Sequence, residues 1–133
     1  MAIAAAPRIY GLEAISAAAF EAGGDEGAQF ARRLFERVAD KDLAAAPSEQ
    51  RAAAAAALLA FARRRLPGIA KVRVFNPTEA GHGFESRHSV IHIVNDDMPF
   101  LVDSITNELN RREIAVHMLA HPVLQIRLSL IHI

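Results

Sequence analysis

The sequence predicts an α+β fold in which a helical hairpin precedes a small strand–strand–helix–strand unit. Two observations predict it. Over residues 25–68, apolar side chains recur at helical spacing between helix start and stop signals. From residue 71 the pattern changes to apolar residues at every second position, interrupted by one amphipathic helix. Such strands need a helical layer to cover them.

The first helix of the hairpin is predicted to start at Asp25 and to fade around residues 40–43. Asp25 can accept hydrogen bonds from the free amides of a helix start. Phe30, Leu34 and Val38 recur every fourth residue and form one apolar stripe. The preceding residues 1–24 are predicted to be a weakly ordered lead, with a short helix around 12–20.

The second helix has clearer boundaries. Ser48 after Pro47 is predicted to cap it, the alanine run at 52–57 favours helix strongly, and Pro67-Gly68 ends it. Arginines 63–65 lie where positive charge suits the negative end of a helix, which is favoured over a nucleic-acid patch.

The second half of the chain supplies the strands. Lys71–Phe75 and Ser89–Val94 alternate, and a turn then leads to a helix at 100–112, with Pro99 predicted at its first position. Ile114–Leu119 alternates again and is predicted to be the last strand. The six residues Leu128–Ile133 are interpreted as a non-native tail, after which the natural protein is expected to continue.

Composition limits the function classes. The chain has 133 residues, no cysteine, and 15 basic against 15 acidic side chains. Neutral charge gives no reason to expect nucleic acid or an anionic membrane as partner. Without cysteine there is no disulfide, thiol nucleophile or Cys-ligated zinc. We found no signal peptide or membrane span and expect a soluble, cytoplasmic protein.

Four histidines are considered as metal ligands. His88 and His92 lie on one face of a strand, and His117 and His121 repeat the spacing. Strand residues four apart are separated by roughly 13 Å, so only a cross-strand pair such as His92 with His117 can chelate. A half-covered structural sheet face is the favoured interpretation, and no metal is predicted.

The acidic turn at Asn95, Asp96, Asp97 and Met98, with Phe100 beyond Pro99, is the candidate binding site. The favoured interpretation is that one of the aspartates caps the following helix. The other is small-ligand binding: helix amides receive a carboxylate, while Asp96 or Asp97 meets an α-amino group. No catalytic motif, phosphate loop or cofactor site is found, so no catalytic residue is assigned.

The blocks VIHIVNDDMPFLVDSI (90–105) and HMLAHPVLQIR (117–127) resemble the N-terminal region of the large bacterial NAD-specific glutamate dehydrogenases. With VFNP near Phe75 and the helical lead, the resemblance covers about residues 25–127. It implies a whole protein that oxidises L-glutamate to 2-oxoglutarate and ammonium with NAD. Its catalytic residues and its NAD site would lie outside this segment.

The resemblance also implies ACT-like domains, which elsewhere sense amino acids and mediate subunit contacts. Residues 69–127 would be a truncated ACT-like unit with its effector site at Asn95–Phe100. Phe100 stands where a glycine is usual. The implied partners are the remaining domains, further copies of the chain and an amino-acid effector. The alternatives are a stand-alone amino-acid-binding ACT module and a purely structural oligomerisation segment.

Overall fold

The structure, a computed structural model, describes residues 11–64 and 68–124. They form five helices and two strands. In chain order these are α1 (Gly11–Phe35), α2 (Asp40–Leu43), α3 (Ser48–Ala62), β1 (Lys71–Phe75), α4 (Glu79–His82), β2 (Val90–Val94) and α5 (Leu101–Arg111). The suggested tail at 128–133 lies outside the described residues.

Helix α1 consists of two helical halves joined at Gly24. Gly24 has φ 65° and ψ −156°, which side-chain-bearing residues rarely adopt. A Cβ on Gly27 would lie 3.0 Å from the carbonyl oxygen of Ala19. In a straight helix residues eight apart are separated by about 12 Å along the axis, so the second half turns back onto the first. The predicted helix start at Asp25 therefore coincides with a real break.

The helical core lies between α1 and α3. Ile15, Ala31 and Leu34 of α1 pack with Ala52 and Ala55 of α3, and all are buried. Two small alanines on α3 permit close approach of the helices. The predicted antiparallel hairpin is confirmed. Residues 11–24, expected to be weakly ordered, are helical and contribute Ile15 to the same core; the division into domains stays a prediction.

The predicted cap of the second helix is wrong. Helix α3 begins at Ser48, with Pro47 as the preceding residue and no side-chain hydrogen bond at the cap. The fading end of the first helix is instead a separate turn of helix, α2. Arg51 of α3 donates to the backbone oxygens of Asp42 and Leu43, which ties α2 to α3.

Strands β1 and β2 form a two-stranded antiparallel sheet in which Arg73 pairs with His92. Since side chains alternate across a strand, Arg73 and His92 share one face, which meets α3. There Lys71 Nζ donates to the Phe61 oxygen at 2.7 Å, and Arg73 donates to the Ala57 oxygen at 3.3 Å. The outer sheet face, defined as Val72, Val74, Ile91 and Ile93, points away from α3.

Helix α5 buries none of its residues. It ends in a Schellman motif, because Ile114 N–H donates to the Leu109 oxygen and Glu113 N–H to the Asn110 oxygen. The predicted strand at 114–119 does not form: among the described residues only β1 and β2 pair. The α+β class, with a helical start and a truncated ACT-like unit, is confirmed.

Candidate functional site

The acidic turn between β2 and α5 has a different geometry from the predicted one. Helix α5 begins at Leu101, so Pro99 precedes the helix and is not its first residue. The residue at the cap is Phe100, and no side chain caps the helix. The interpretation of Asp96 or Asp97 as the cap is therefore wrong, and both carboxylates are exposed.

The free end of α5 is nevertheless suited to an anion. Its first intrahelical bond runs from Ser104 N–H to the Phe100 oxygen at 2.8 Å, so the preceding amides have no acceptor within the helix. A carboxylate is favoured at such an end. Asn95 Nδ2 lies 3.2 Å from Met98 Sδ and orders the turn. Binding of a small amino acid at this turn stays a prediction.

Phe100 is the unusual residue of the turn. It has φ 63°, in the left-handed region, and 76% of its side chain is exposed. Such a conformation favours glycine. The family resemblance expects glycine at this position, and the observed backbone is one that glycine would adopt without strain.

The histidines do not converge as the metal hypothesis required. His88 and His117 stack, with ring centroids 4.1 Å apart. His92, which was considered as a possible chelating partner of His117, instead lies against Phe61 of α3 and Phe75 of β1. Within residues 11–64 and 68–124, no three metal-binding side chains cluster.

His92 sits at the centre of a cation–aromatic cluster that the sequence patterns did not reveal. Its side chain is 7% exposed, and its Nδ1 accepts a hydrogen bond from Arg73 Nε at 3.1 Å. The Arg73 guanidinium lies 4.5 Å from the ring centres of both Phe61 and Phe75. The sequence signal for this cluster was the alternation of Lys71 and Arg73 with apolar residues. That alternation indicated a strand, but it did not indicate which face of the strand would be covered.

The environment of His92 determines its protonation. Burial, and after it the charges of Arg73 and His82, together lower the pKa of His92 from its ordinary value of 6.5 to about 4. Neutral His92 accepts the Arg73 hydrogen bond. The cluster is therefore a structural joint between α3 and the sheet.

Helices followed by a strand pair and a strand-to-helix turn define a truncated ACT-like α+β module. In the described part of the chain, no helix is long and apolar enough to cross a membrane. The family described as "Glutamate dehydrogenase, ACT1 domain" matches residues 30–129. The chain belongs to this family, as its NDDMPFLVDSI block indicated.

Two curated relatives extend the comparison. An NAD-specific glutamate dehydrogenase of Halomonas elongata is 38% identical over 97 residues, which are 73% of this chain and 6% of that protein. An NAD-specific glutamate dehydrogenase of Pseudomonas aeruginosa is 46% identical over 59 residues, 44% of this chain and 4% of that protein. The chain thus spans a small part of the relatives it matches. No solved structure matches significantly.

Proposed function

We propose that this chain is a non-catalytic regulatory and assembly region of an NAD-specific glutamate dehydrogenase. The observation that carries the proposal is the match of residues 30–129 to the ACT1 domain of that enzyme family. The names of the two relatives support the same parent activity. The parent would convert L-glutamate and NAD to 2-oxoglutarate, ammonium and NADH, in the cytoplasm.

The chemistry of the described residues supports a non-catalytic role for this segment. The strongly perturbed histidine, His92, is buried in a structural cluster, and its Nδ1 already accepts a hydrogen bond from Arg73. The two aspartates of the turn are exposed and lack a neighbouring base or nucleophile in sequence. Catalysis and NAD binding would therefore belong to other parts of the parent enzyme.

An amino-acid effector at Asn95–Phe100 is the regulatory form of this proposal. Its support is the uncapped amino end of α5 beside Asp96 and Asp97, which offers opposite charges to the two ends of an amino acid. A stand-alone amino-acid-binding module uses the same site. A purely structural oligomerisation segment would use none.

The test uses the longer polypeptide, with and without residues 11–124. Glutamate-dependent NADH formation by the intact polypeptide is expected, and its absence would contradict the parent activity. Calorimetry with glutamate, aspartate and arginine on the intact polypeptide is expected to give, with at least one of them, binding heat that is lost when residues 11–124 are deleted, which separates it from glutamate binding at the catalytic site. Asp97→Asn should weaken that binding roughly tenfold, whereas the distant Asp25→Asn should not change it.

The alternatives give different results. If no amino-acid binding depends on residues 11–124, but their deletion changes the sedimentation of the enzyme, the segment is structural. If the 133-residue chain alone binds an amino acid as tightly as the longer polypeptide, it is an independent module.

A further inference from the structure

The turn between β2 and α5 carries an apolar tip, defined as Met98, Pro99 and Phe100, that projects from the described residues. Five consecutive residues, 96–100, are exposed. Met98 is 51% and Phe100 76% exposed, so the neighbouring elements cover little of either side chain. Adjacent exposed apolar side chains mark interaction surfaces, whereas single ones are common on any protein surface.

The backbone of the tip is strained at its most exposed residue. Phe100 has φ 63°, a conformation that is unfavourable for any residue with a Cβ. Glycine at this position would relieve the strain and would also remove apolar surface from contact with water. The described residues give Phe100 no burial that offsets either effect. An exposed aromatic side chain on a strained backbone is typical of an anchor that a partner's pocket covers.

The shape of the tip is fixed before any partner binds. The turn joins the end of β2 to the start of α5 with only six residues between them. Within it, Asn95 Nδ2 donates to Met98 Sδ at 3.2 Å, and Ser104 N–H donates to the Phe100 oxygen at 2.8 Å. A preformed projection loses little conformational freedom on binding. The tip is therefore suited to enter a concave surface of a macromolecule.

The surroundings of the tip are acidic. Between residues 89 and 107 the chain has the three carboxylates of Asp96, Asp97 and Asp103, and neither lysine nor arginine. All three side chains are exposed. Contact between the tips of two copies, or insertion into an anionic membrane, would bring like charges together. A pocket with arginine or lysine at its rim is complementary to this surface.

We propose that the tip inserts into an apolar pocket with a basic rim on another region of the longer polypeptide, with Phe100 as its anchor. This inference rests on the proposed function in one respect: the pocket belongs to the longer enzyme, since the 97 aligned residues are only 6% of the Halomonas relative. Being part of one polypeptide gives tip and pocket a high effective concentration. The contact uses the side chains of the tip and does not require an amino-acid effector at the amides of α5.

Photo-crosslinking in the longer polypeptide tests the partner. Benzoylphenylalanine replaces Phe100 and, in a matched control, Phe20, an exposed phenylalanine of α1. The probe at Phe100 is expected to link to a peptide from outside residues 11–124, and the probe at Phe20 should not link to that peptide. A link from Phe100 to residues 11–124 of a second copy, a link to a different protein, or no specific link would overturn the proposal.

Charge reversal tests the basic rim. In the polypeptide with the probe at Phe100, Asp97→Lys should lower the yield of the expected link roughly threefold or more, because it places a cation against the rim. Glu21→Lys makes the same change in net charge on an exposed part of α1 and should leave the yield unchanged. Equal yields in the two variants would contradict a basic rim.

Oxidation of Met98 by hydrogen peroxide measures the burial of the tip without an unnatural residue. Peroxide transfers one oxygen atom to the thioether and leaves water, at a rate that follows exposure. In the longer polypeptide Met98 is expected to oxidise roughly fivefold more slowly than methionine in an unstructured peptide. Phe100→Gly, which removes the anchor and relieves the strain, should restore the fast rate, whereas Phe20→Ala should not. Fast oxidation of Met98 in the natural polypeptide would refute insertion.

Glutamate-dependent NADH formation by the same preparation tests the parent activity separately. An active enzyme whose Met98 oxidises at the fast rate, and whose probe at Phe100 forms no specific link, would overturn the tip contact alone. An inactive preparation would contradict the parent activity, whereas a link from Phe100 to a peptide outside residues 11–124 would still support the contact.

Discussion

At the residue scale, the joint between the helices and the sheet depends on His92 and Arg73. The Arg73 guanidinium lies over the rings of Phe61 and Phe75, and neutral His92 accepts a hydrogen bond from its Nε. A protonated imidazole would lose this bond and place a second positive charge beside the first. The joint therefore needs His92 to remain neutral.

The stability of the chain is expected to fall with acid because of His92. Its pKa is lowered from 6.5 to about 4 in the folded chain, so the unfolded chain binds more protons between these values. The contribution of His92 to the free energy of unfolding is fully present above about pH 6.5. It is lost as the pH falls towards 4, by up to about 3 kcal/mol. Urea unfolding at pH 7, 5.5 and 4.5 measures the decline, and proton NMR of His92 gives its pKa directly.

His92→Gln is the matched control, because glutamine can accept from Arg73 and does not titrate. Its unfolding free energy should change less over the same pH range than that of the natural chain. A His92 resonance that titrates near pH 6.5 would contradict the buried neutral state.

At the element scale, α5 has a left-handed residue at each end. Phe100 before it has φ 63° and Glu113 after it has φ 59°, and both side chains are exposed. This conformation costs a residue with a side chain roughly 1–2 kcal/mol, whereas glycine adopts it freely at a smaller entropic cost. The helix forms despite this cost, and at its C-terminal end the Schellman hydrogen bonds donated by Glu113 and Ile114 stabilise it.

Glycine at either end is expected to stabilise the chain. Phe100→Gly and Glu113→Gly should each raise the free energy of unfolding by about 0.5–1 kcal/mol. The two ends are roughly 18 Å apart along the helix, so the effects should add. Denaturant unfolding measures both. Asn107→Gly, in the helix interior, should lower stability by a few tenths of a kcal/mol, and a gain there would contradict this explanation.

At the scale of the whole molecule, the described residues leave most of the outer sheet face exposed. Val72 is 58% and Val74 66% exposed, and Ile91 across the sheet is 40% exposed. Helix α5 buries no residue and leaves this face open. Exposed apolar strands with free edges favour association.

The isolated 133-residue chain is therefore expected to be marginally stable and to associate. Its weight-average mass in sedimentation should rise with concentration. Val74→Lys, which places a charge in the outer face, should reduce this rise several-fold. Glu13→Gln makes the same change in net charge on an exposed part of α1 and should leave it unchanged. A cooperative melt together with a monomeric profile for the natural chain would refute the expectation.

Much of the fold could be predicted, and for identifiable reasons. Helix α3 follows from its alanine run and β1 from its alternation, because local propensity and period agree there. The strand expected at Ile114–Leu119 failed because a strand needs a partner, and none of the described segments pairs with it. The capping role of Asp96 or Asp97 failed because the turn extends to Phe100, which the order of residues alone did not reveal.

The sequence by itself determined the order of helices and strands and, through NDDMPFLVDSI, the family. These depend on near neighbours in the chain and on a specific residue pattern. Only the tertiary structure decided that His92 is buried beside Arg73, that His88 and not His92 meets His117, and that no described strand other than β1 pairs with β2. Those features depend on which face packs and which edge is covered, and both are set by contacts between residues far apart in the chain.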